Sequence, residues 1–143
     1  MLRWWTRLFD GGQAESSSQQ LAAHRQKLGR RGEKLARKFL RKEGYRYLTG
    51  NFTTAQGEVD LIMVDGQTVV FVEVKTRRDE DFARGETAVN FGKQKRIESA
   101  ARGFINKNNL QECPCRFDVV VVVIPEKGKK TVRHWKSAFR AKR

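Results

Sequence analysis

The apolar residues have a helical period near the start of the chain. From residue 21 to about residue 42 they recur seven and four positions apart, and Gly44 ends the pattern. They are Leu28, Leu35, Ala36, Phe39 and Leu40. The preceding stretch "DGGQAESSSQQ" is rich in Gly, Ser and Gln and lacks apolar periodicity. We therefore predict a flexible tail and linker over 1–20 and a folded domain over 21–143.

Five segments of the remaining chain have the composition and patterning of strands. The predicted strands are "YRYLTGNFTT", "GEVDLIMV", "QTVVFVEVKTR", "RFDVVVVVI" and "KKTVRHW". The fourth contains six consecutive β-branched residues, which indicates burial on both faces. A second helix is predicted over 87–106, with an apolar side of Ile97, Ala100, Ala101, Phe104 and Ile105. The fold class is therefore α/β, a mixed sheet of about five strands with helices on both faces.

The second and third strands form a predicted hairpin. The dipeptide Asp65-Gly66 favours a two-residue type I′ turn, which places Asp60 opposite Phe71 and diagonal to Glu73. A four-residue loop would instead place Asp60 directly across from Glu73. Either register brings both carboxylates to the same face of the sheet.

Three carboxylates are expected to converge on this hairpin, namely those of Glu58, Asp60 and Glu73, with Lys75 next along the face. Like charges at that separation repel unless a cation lies among them, and Mg²⁺ or Mn²⁺ suits such oxygen ligands. Lys75 could then orient or help to deprotonate a water molecule. The ordinary alternative is an exposed ion-pair ladder on a strand, worth about 0–1 kcal/mol.

The charge balance indicates a polyanionic partner. The chain has 143 residues and a formal net charge of +14, so nucleic acid is the first expectation and an anionic membrane surface the competitor. No apolar run approaches the roughly 18 residues of a membrane span. The start "MLRWWTRLF" is too short in apolar residues for a signal-peptide core. We expect a cytoplasmic protein, with Cys113 and Cys115 as free thiols.

Several cationic side chains are candidates for phosphate contact. Ten Lys or Arg and two Glu lie between Arg25 and Arg46, and Lys93 and Arg96 lie one helical turn apart. The ordinary alternative is a solvated charged face. The predicted nucleic-acid-binding residues are Arg30, Arg31, Lys34, Arg77, Lys93 and Arg96.

The remaining polar candidates are weaker. His24 and His134 have no metal-ligating partner at a suitable spacing, and a structural role is expected for His134. Asp118 could face the carboxylates or satisfy backbone donors. Trp4 and Trp5 could form the apolar side of a short docking helix or belong to a mobile tail.

A family resemblance extends over nearly everything from Leu28 to Phe139. The stretches "GRRGEKLARKFLRKEGYRYLTGNF", "GEVDLIMVDGQTVVFVEVKTR", "AVNFGKQKRI", "RFDVVVV" and "HWKSAF" resemble the YraN family of small bacterial proteins. That family is similar to archaeal Holliday-junction resolvases of the PD-(D/E)xK nuclease superfamily. The resemblance implies a restriction-endonuclease-like core over 21–143.

The resemblance also implies roles for individual residues. Asp60, Glu73 and the Val74 backbone carbonyl would be metal ligands, Lys75 would position water, and Glu33 matches a first-helix glutamate. A helical ion pair with Arg37 is the alternative for Glu33. The superfamily's proline before the aspartate is Val59 here, and Glu58 is either a third ligand or a rim charge.

The sequence therefore predicts a Mg²⁺- or Mn²⁺-dependent endonuclease acting on DNA, with branched or single-stranded DNA as candidate substrates. A non-catalytic nucleic-acid-binding protein on the same fold is the alternative. RNA and anionic membranes remain open as partners. Related resolvases act as two-fold dimers, so a homodimer is a further expectation that no surface in the sequence identifies.

Overall fold

The computed structural model describes the backbone of residues 3–79 and 89–141 and the side chains of residues 17–79 and 89–141. Within these ranges it contains two helices and five strands. In chain order they are α1 (Arg3–Lys42), β1 (Arg46–Thr54), β2 (Gly57–Asp65), β3 (Thr68–Arg77), α2 (Phe91–Lys107), β4 (Cys115–Val123) and β5 (Thr131–Phe139).

The strands form one mixed sheet in the order β1-β2-β3-β4-β5. Only β3 and β4 run parallel, and α2 connects them, whereas the other neighbours are antiparallel. A parallel pair requires such a crossover, because a tight turn can only reverse the chain. The predicted mixed α/β sheet is confirmed, and so is the interior position of the valine-rich strand β4.

Helix α1 is longer than predicted. The sequence favoured a linker over 10–20 and a helix from Leu21, but α1 begins at Arg3. Gly costs only about 1 kcal/mol relative to Ala inside a helix and Ser less, and no proline interrupts the segment. The chain divides into two compact units, Met1–Arg31 and Gly32–Arg143. The side chains of Trp4 and Trp5 lie outside the described residues.

Local signals determine the helix ends nearest the sheet. Gly44 has φ +96° at the end of α1, and the amides of Gly44 and Tyr45 donate to the carbonyls of Arg41 and Leu40 at 3.1 and 3.0 Å. This is a Schellman cap. Helix α2 begins at Phe91, and the predicted start at Thr87 lies outside the described residues. Asn90 caps α2 by accepting from the Lys93 amide at 2.9 Å.

The two helices cover opposite faces of the sheet. On the α2 face, Phe71 of β3 contacts Phe104 edge to face and Phe117 of β4 in a stacked arrangement. On the other face, Gly32 of α1 lies so close to Thr76 of β3 that a Cβ at position 32 would overlap the threonine side chain. Phe71 and Thr76 project from opposite faces, because side chains alternate along a strand.

A buried polar cluster links β4 to its neighbours. Asp118 is fully buried and accepts from Arg116 Nε at 2.8 Å and from the Ser137 amide at 3.0 Å. Its second oxygen is 2.7 Å from His134 Nε2. Burial acts to raise the pKa of Asp118, but the hydrogen bonds from His134 and Arg116 outweigh it and lower the pKa. This cluster supplies the structural role predicted for His134.

Arg116 extends the cluster beyond β4. Its guanidinium also donates to the Tyr45 hydroxyl at 2.8 Å and to Asp65 at 3.1 Å. The Ser137 amide reaches Asp118 where the pairing of β4 with β5 shifts register, and Ser137 has φ +52° there. The register shift is a bulge that points an edge-strand amide into the protein.

Two further expectations concern the whole chain. Cys113 and Cys115 are free thiols in the structure, as predicted. Among the described residues, no helix has the length and apolar character needed to cross a membrane.

We predict that Gly32→Ala destabilises the protein through overlap with Thr76. Gly29→Ala is the matched control, because it lies three residues away in α1 and a Cβ there has no neighbour within 4 Å. Both substitutions gain helix propensity of about 1 kcal/mol, so their difference isolates the overlap. We expect Gly32→Ala to be less stable than Gly29→Ala by about 1–3 kcal/mol in urea unfolding. Equal stabilities would show that the close approach of α1 and β3 is not tightly packed.

Candidate active site at a fork in the sheet

The sheet divides between β2 and β3. Their pairing runs from Asp65 and Thr68 to Leu61 and Val72. Beyond that point β2 stays paired with β1 back to Gly57, and β3 stays paired with β4. We call the gap between residues 57–60 of β2 and residues 73–77 of β3 the fork. Backbone groups that face into the fork need partners other than the opposite strand.

Asp60 provides one such partner. Its Oδ2 accepts a hydrogen bond from the Val74 amide at 2.8 Å, so a side-chain oxygen replaces the strand carbonyl that regular pairing would supply. In a strand the amide and carbonyl of one residue point to the same side. The Val74 carbonyl therefore also points toward β2, which is the direction expected of a further ligand beside Asp60.

The hairpin register differs from the two-residue Asp65-Gly66 turn that the sequence favoured. Asp65 pairs with Thr68, and Gly66 and Gln67 form the turn. That prediction was wrong because Gly66, with φ +60°, is the first central residue of the turn and Gln67, the second, does not have positive φ. A type II′ turn needs positive φ only at its first central position. The strand register is the one that the four-residue loop would have given, so Asp60 lies across from Glu73.

Asp60 and Glu73 form a close carboxyl pair. The pKa of Asp60 is raised to about 8, first by burial and then by the negative charge of Glu73, a hydrogen bond to the Glu73 carboxyl group and the charge of Glu33. The hydrogen bond from Val74 opposes them. Without a cation the pair holds a proton that an ordinary aspartate would release.

The alternation of β2 is interrupted at Asp60. Val59 and Ile62 belong to the same buried cluster, although residues three apart on a regular strand face opposite sides. Asn51, with φ +50°, lies opposite Asp60 on β1.

The predicted convergence of a third carboxylate fails here, since Glu58 is exposed. No three His, Cys, Asp or Glu side chains group as metal ligands within residues 17–79 and 89–141.

Glu73 is the buried end of an ion pair. Its side chain is 5% exposed, and its Oε1 contacts the Lys93 ammonium group from the first turn of α2. The two residues line a cleft of about 520 Å³ together with Arg96, Ile97 and the turn between β1 and β2. Glu58 is also on its wall. The cleft therefore opens onto one member of the carboxyl pair.

The other predicted site residues lie as follows. Lys75 is half-buried and two residues beyond Glu73, so strand alternation gives both side chains the same face. Glu33 is half-buried on α1, directly after the glycine that contacts β3, and its charge acts on Asp60. The structure therefore brings Glu33, Asp60 and Glu73 into electrostatic range.

The predicted phosphate-binding residues separate into groups. Arg30 and Arg31 belong to the unit 1–31, where both are exposed. Lys34 lines a groove of about 460 Å³ with other basic residues of α1. Arg77 is half-buried and donates to the Thr76 carbonyl at 2.8 Å. Arg96 is exposed on the cleft wall, whereas Lys93 contacts Glu73.

A divalent ion fits the chemistry of this site. Asp60 and Glu73 supply two adjacent hard oxygen donors, and the Val74 carbonyl points toward them. Burial and the charge of Glu73 raise the pKa of Asp60, and the ammonium group of Lys93 contacts only Glu73.

Sequence reasoning missed two contacts that shape the site. Lys93 was assigned to phosphate, and its pairing with Glu73 has no sequence signal because the two residues belong to different elements. Gly57 lies so close to the Arg96 carbonyl that a Cβ would overlap it. The glycine in "AQGEVD" at the start of a strand was a visible signal for such an approach.

Comparison with known proteins gives consistent matches over this region. The model of the family described as "Uncharacterised protein family UPF0102" matches residues 32–122. A UPF0102 protein of Pelobacter propionicus is 37% identical over 130 residues, covering 90% of this chain and 93% of that protein. One from Trichlorobacter lovleyi is 42% identical over 115 residues, covering 80% and 91%. One from Xanthomonas oryzae pv. oryzae is 42% identical over 123 residues, covering 85% and 98%.

We predict that Asp60 makes the protein less stable as the pH rises from 5 to 8. Because the pKa of Asp60 is raised to about 8 from 3.8, the folded protein binds more protons than the unfolded chain within this window. The stabilisation is complete below the unfolded pKa and is lost as the pH approaches the folded value, with a slope of up to about 1.4 kcal/mol per pH unit. Asp60→Asn should remove this contribution, as measured by urea unfolding across the window.

Glu58→Gln is the control, because it removes an exposed carboxylate from the same strand. It should keep the wild-type pH dependence. The loss from Asp118 occurs at lower pH, since its pKa is lowered, so it does not overlap this window. A wild-type protein and an Asp60→Asn variant with the same slope would contradict the assignment.

Proposed function

The chain belongs to the uncharacterised protein family UPF0102, and from the site in its family region we propose that it hydrolyses phosphodiester bonds in DNA with a divalent metal ion. The observation that carries this proposal is the Asp60–Glu73 pair at the fork, beside the Val74 amide. Adjacent buried carboxyl groups, one of them with a raised pKa, are typical of functional sites.

In the proposed site Asp60, Glu73 and the Val74 carbonyl would hold Mg²⁺ or Mn²⁺. Such an ion, when bound, polarises a phosphate and lowers the pKa of a coordinated water molecule. The protein fixes these ligands through backbone geometry, since Asp60 is held by the Val74 amide at 2.8 Å and Glu73 lies on an interior strand. Rigid ligands keep the cost of ordering the site low.

Lys75 is proposed to orient the attacking water. It follows Glu73 by two positions on the same face of β3 and is half-buried. A lysine there supplies a hydrogen-bond donor on the same face of β3 as Glu73. Glu33 is proposed to support the site through its charge next to Asp60. The Asp60, Glu73 and Lys75 set also matches the resemblance to PD-(D/E)xK nucleases.

The substrate class follows from charge. The net charge of +14 gives the protein a long-range attraction for nucleic acid. The cleft is lined by Lys93 and Arg96 next to Glu73, and the groove on α1 adds Lys34 and other cations. Both surfaces suit a phosphate backbone better than a neutral substrate.

A second candidate is a nucleic-acid-binding protein without catalysis. The ion pair between Lys93 and Glu73 favours it, because a neutralised glutamate satisfies the site without a metal ion. The two candidates differ in metal binding. If Mg²⁺ gives no calorimetric heat and Glu73→Gln leaves DNA affinity unchanged, the binding protein is the better description.

We predict that Asp60→Asn and Lys75→Ala abolish cleavage while DNA binding is largely retained. The first removes a metal ligand and the second the water-orienting group, so each should lower the rate at least about a hundredfold. The assay follows branched, flapped and single-stranded DNA at one salt concentration with Mg²⁺ or Mn²⁺, and binding is measured with the same DNA.

Lys107→Ala is the control, since it removes an exposed lysine from the last turn of α2. It should cleave at the wild-type rate. Wild-type protein that shows no metal-dependent cleavage of any of these substrates would refute the enzymatic proposal. Cleavage unchanged in Lys75→Ala would refute only the role of that lysine.

A further inference from the structure

Glu73 forms an ion pair with a lysine in the structure. Its Oε1 contacts the Lys93 ammonium group, while its own side chain is 5% exposed and that of Lys93 is 46% exposed. The buried partner is fixed on an interior strand, whereas the exposed partner reaches it from the cleft. Because Glu73 is buried and Lys93 is exposed, this ion pair can be broken by movement of the lysine side chain.

The backbone of Lys93 is well anchored although its side chain is accessible. The Lys93 amide donates to Asn90 Oδ1 at 2.9 Å, and the Gln94 amide donates to the Asn90 carbonyl at 2.9 Å. One turn later, Gly57 of β2 packs directly against the Arg96 carbonyl. The start of α2 is therefore fixed beside the fork, and the flexible part of Lys93 is the side chain itself.

Lys93 and a divalent ion would compete for the same oxygen atoms. Glu73 is a proposed metal ligand, and the lysine ammonium is in contact with its carboxylate. Once displaced, the ammonium group remains tethered in a cleft with Arg96. Two cations in one cleft attract a phosphate group.

We infer that Lys93 is an exchangeable counter-ion that neutralises Glu73 in the metal-free protein and transfers to a substrate phosphate when a divalent ion binds. This inference rests on the proposed function and adds to it a coupling between metal and DNA. Metal binding releases a cation for the DNA, and DNA binding removes the competitor of the metal. By thermodynamic linkage each ligand strengthens the other by the same factor.

The inference predicts opposite effects of one substitution on two ligands. Lys93→Gln should bind Ca²⁺, used as the probe ion, roughly fivefold more tightly than wild type, because the competing state is lost. It should bind a short single-stranded DNA more weakly in the presence of Ca²⁺. The factor by which Ca²⁺ strengthens DNA binding should fall toward one.

The measurements are Ca²⁺ titration by calorimetry and DNA binding by fluorescence anisotropy, with and without Ca²⁺, at constant ionic strength. Lys95→Gln is the control, since Lys95 is also on the first turns of α2 but lies over the Phe91 ring, 4.7 Å from its centroid. It removes the same charge and should leave Ca²⁺ affinity and the coupling factor unchanged.

The outcomes separate this inference from the proposed function. Ca²⁺ binding that Glu73→Gln weakens but Lys93→Gln leaves equal to Lys95→Gln would overturn the exchange and leave the metal site in place. No Ca²⁺ binding by wild type or Lys93→Gln would overturn both. Tighter Ca²⁺ binding with an unchanged coupling factor would overturn the transfer to phosphate.

A measurement on wild-type protein makes the test independent of the stability of the variant. The side-chain Hε and Cε resonances of Lys93 should shift when Ca²⁺ is added and those of Lys95 should not. If the Lys93 resonances stay unchanged at saturating Ca²⁺, the ammonium group has not left Glu73 and the inference fails.

Discussion

One hydrogen bond, from the Val74 amide to the Asp60 carboxylate, connects two strands whose backbone pairing has already ended. A sheet that divides leaves amides and carbonyls without partners, and buried groups of that kind are costly. Asp60 satisfies the amide, but this places a carboxylate beside Glu73 in a half-buried position. The same contact therefore gives the Val74 amide a partner and places two carboxyl groups close together, which contributes to the raised pKa of Asp60.

The rest of the structure compensates for this arrangement. Helix α1 approaches β3 at Gly32, which positions Glu33 near Asp60, and helix α2 approaches β2 at Gly57, which positions Lys93 near Glu73. Both approaches require a glycine at the contact. The polar cluster around Asp118 is different, because its carboxylate has cationic and amide donors. The hydrogen bonds of Asp118 lower its pKa, whereas the single amide that bonds to Asp60 does not offset burial and the charge of Glu73, so the pKa of Asp60 is raised.

Much of the fold was predictable from the sequence, because strand alternation and the run of five valines in β4, continued by Ile124, are strong local signals. The closeness of Asp60 and Glu73 was also predictable, since both hairpin registers bring these two residues near each other. The actual turn was not, because Gly66 can occupy either central position of a turn. The start of α1 was missed because Gly and Ser weaken a helix without preventing it. The exposure of Glu58 and the pairing of Lys93 depend on a break in alternation and a tertiary contact, which leave no periodic signal.

The bulge at Ser137 has a consequence for crowded solutions. Strand β5 is an edge of the sheet, and an edge with a regular row of free amides can recruit a strand from another molecule and start aggregation. The Ser137 amide instead bonds to Asp118 inside the protein, and the charged side chains of Arg133 and Lys136 line the exposed part of the strand. The outer row is thus irregular and cationic, so this edge resists fibril-like growth while the buried carboxylate behind it stays paired.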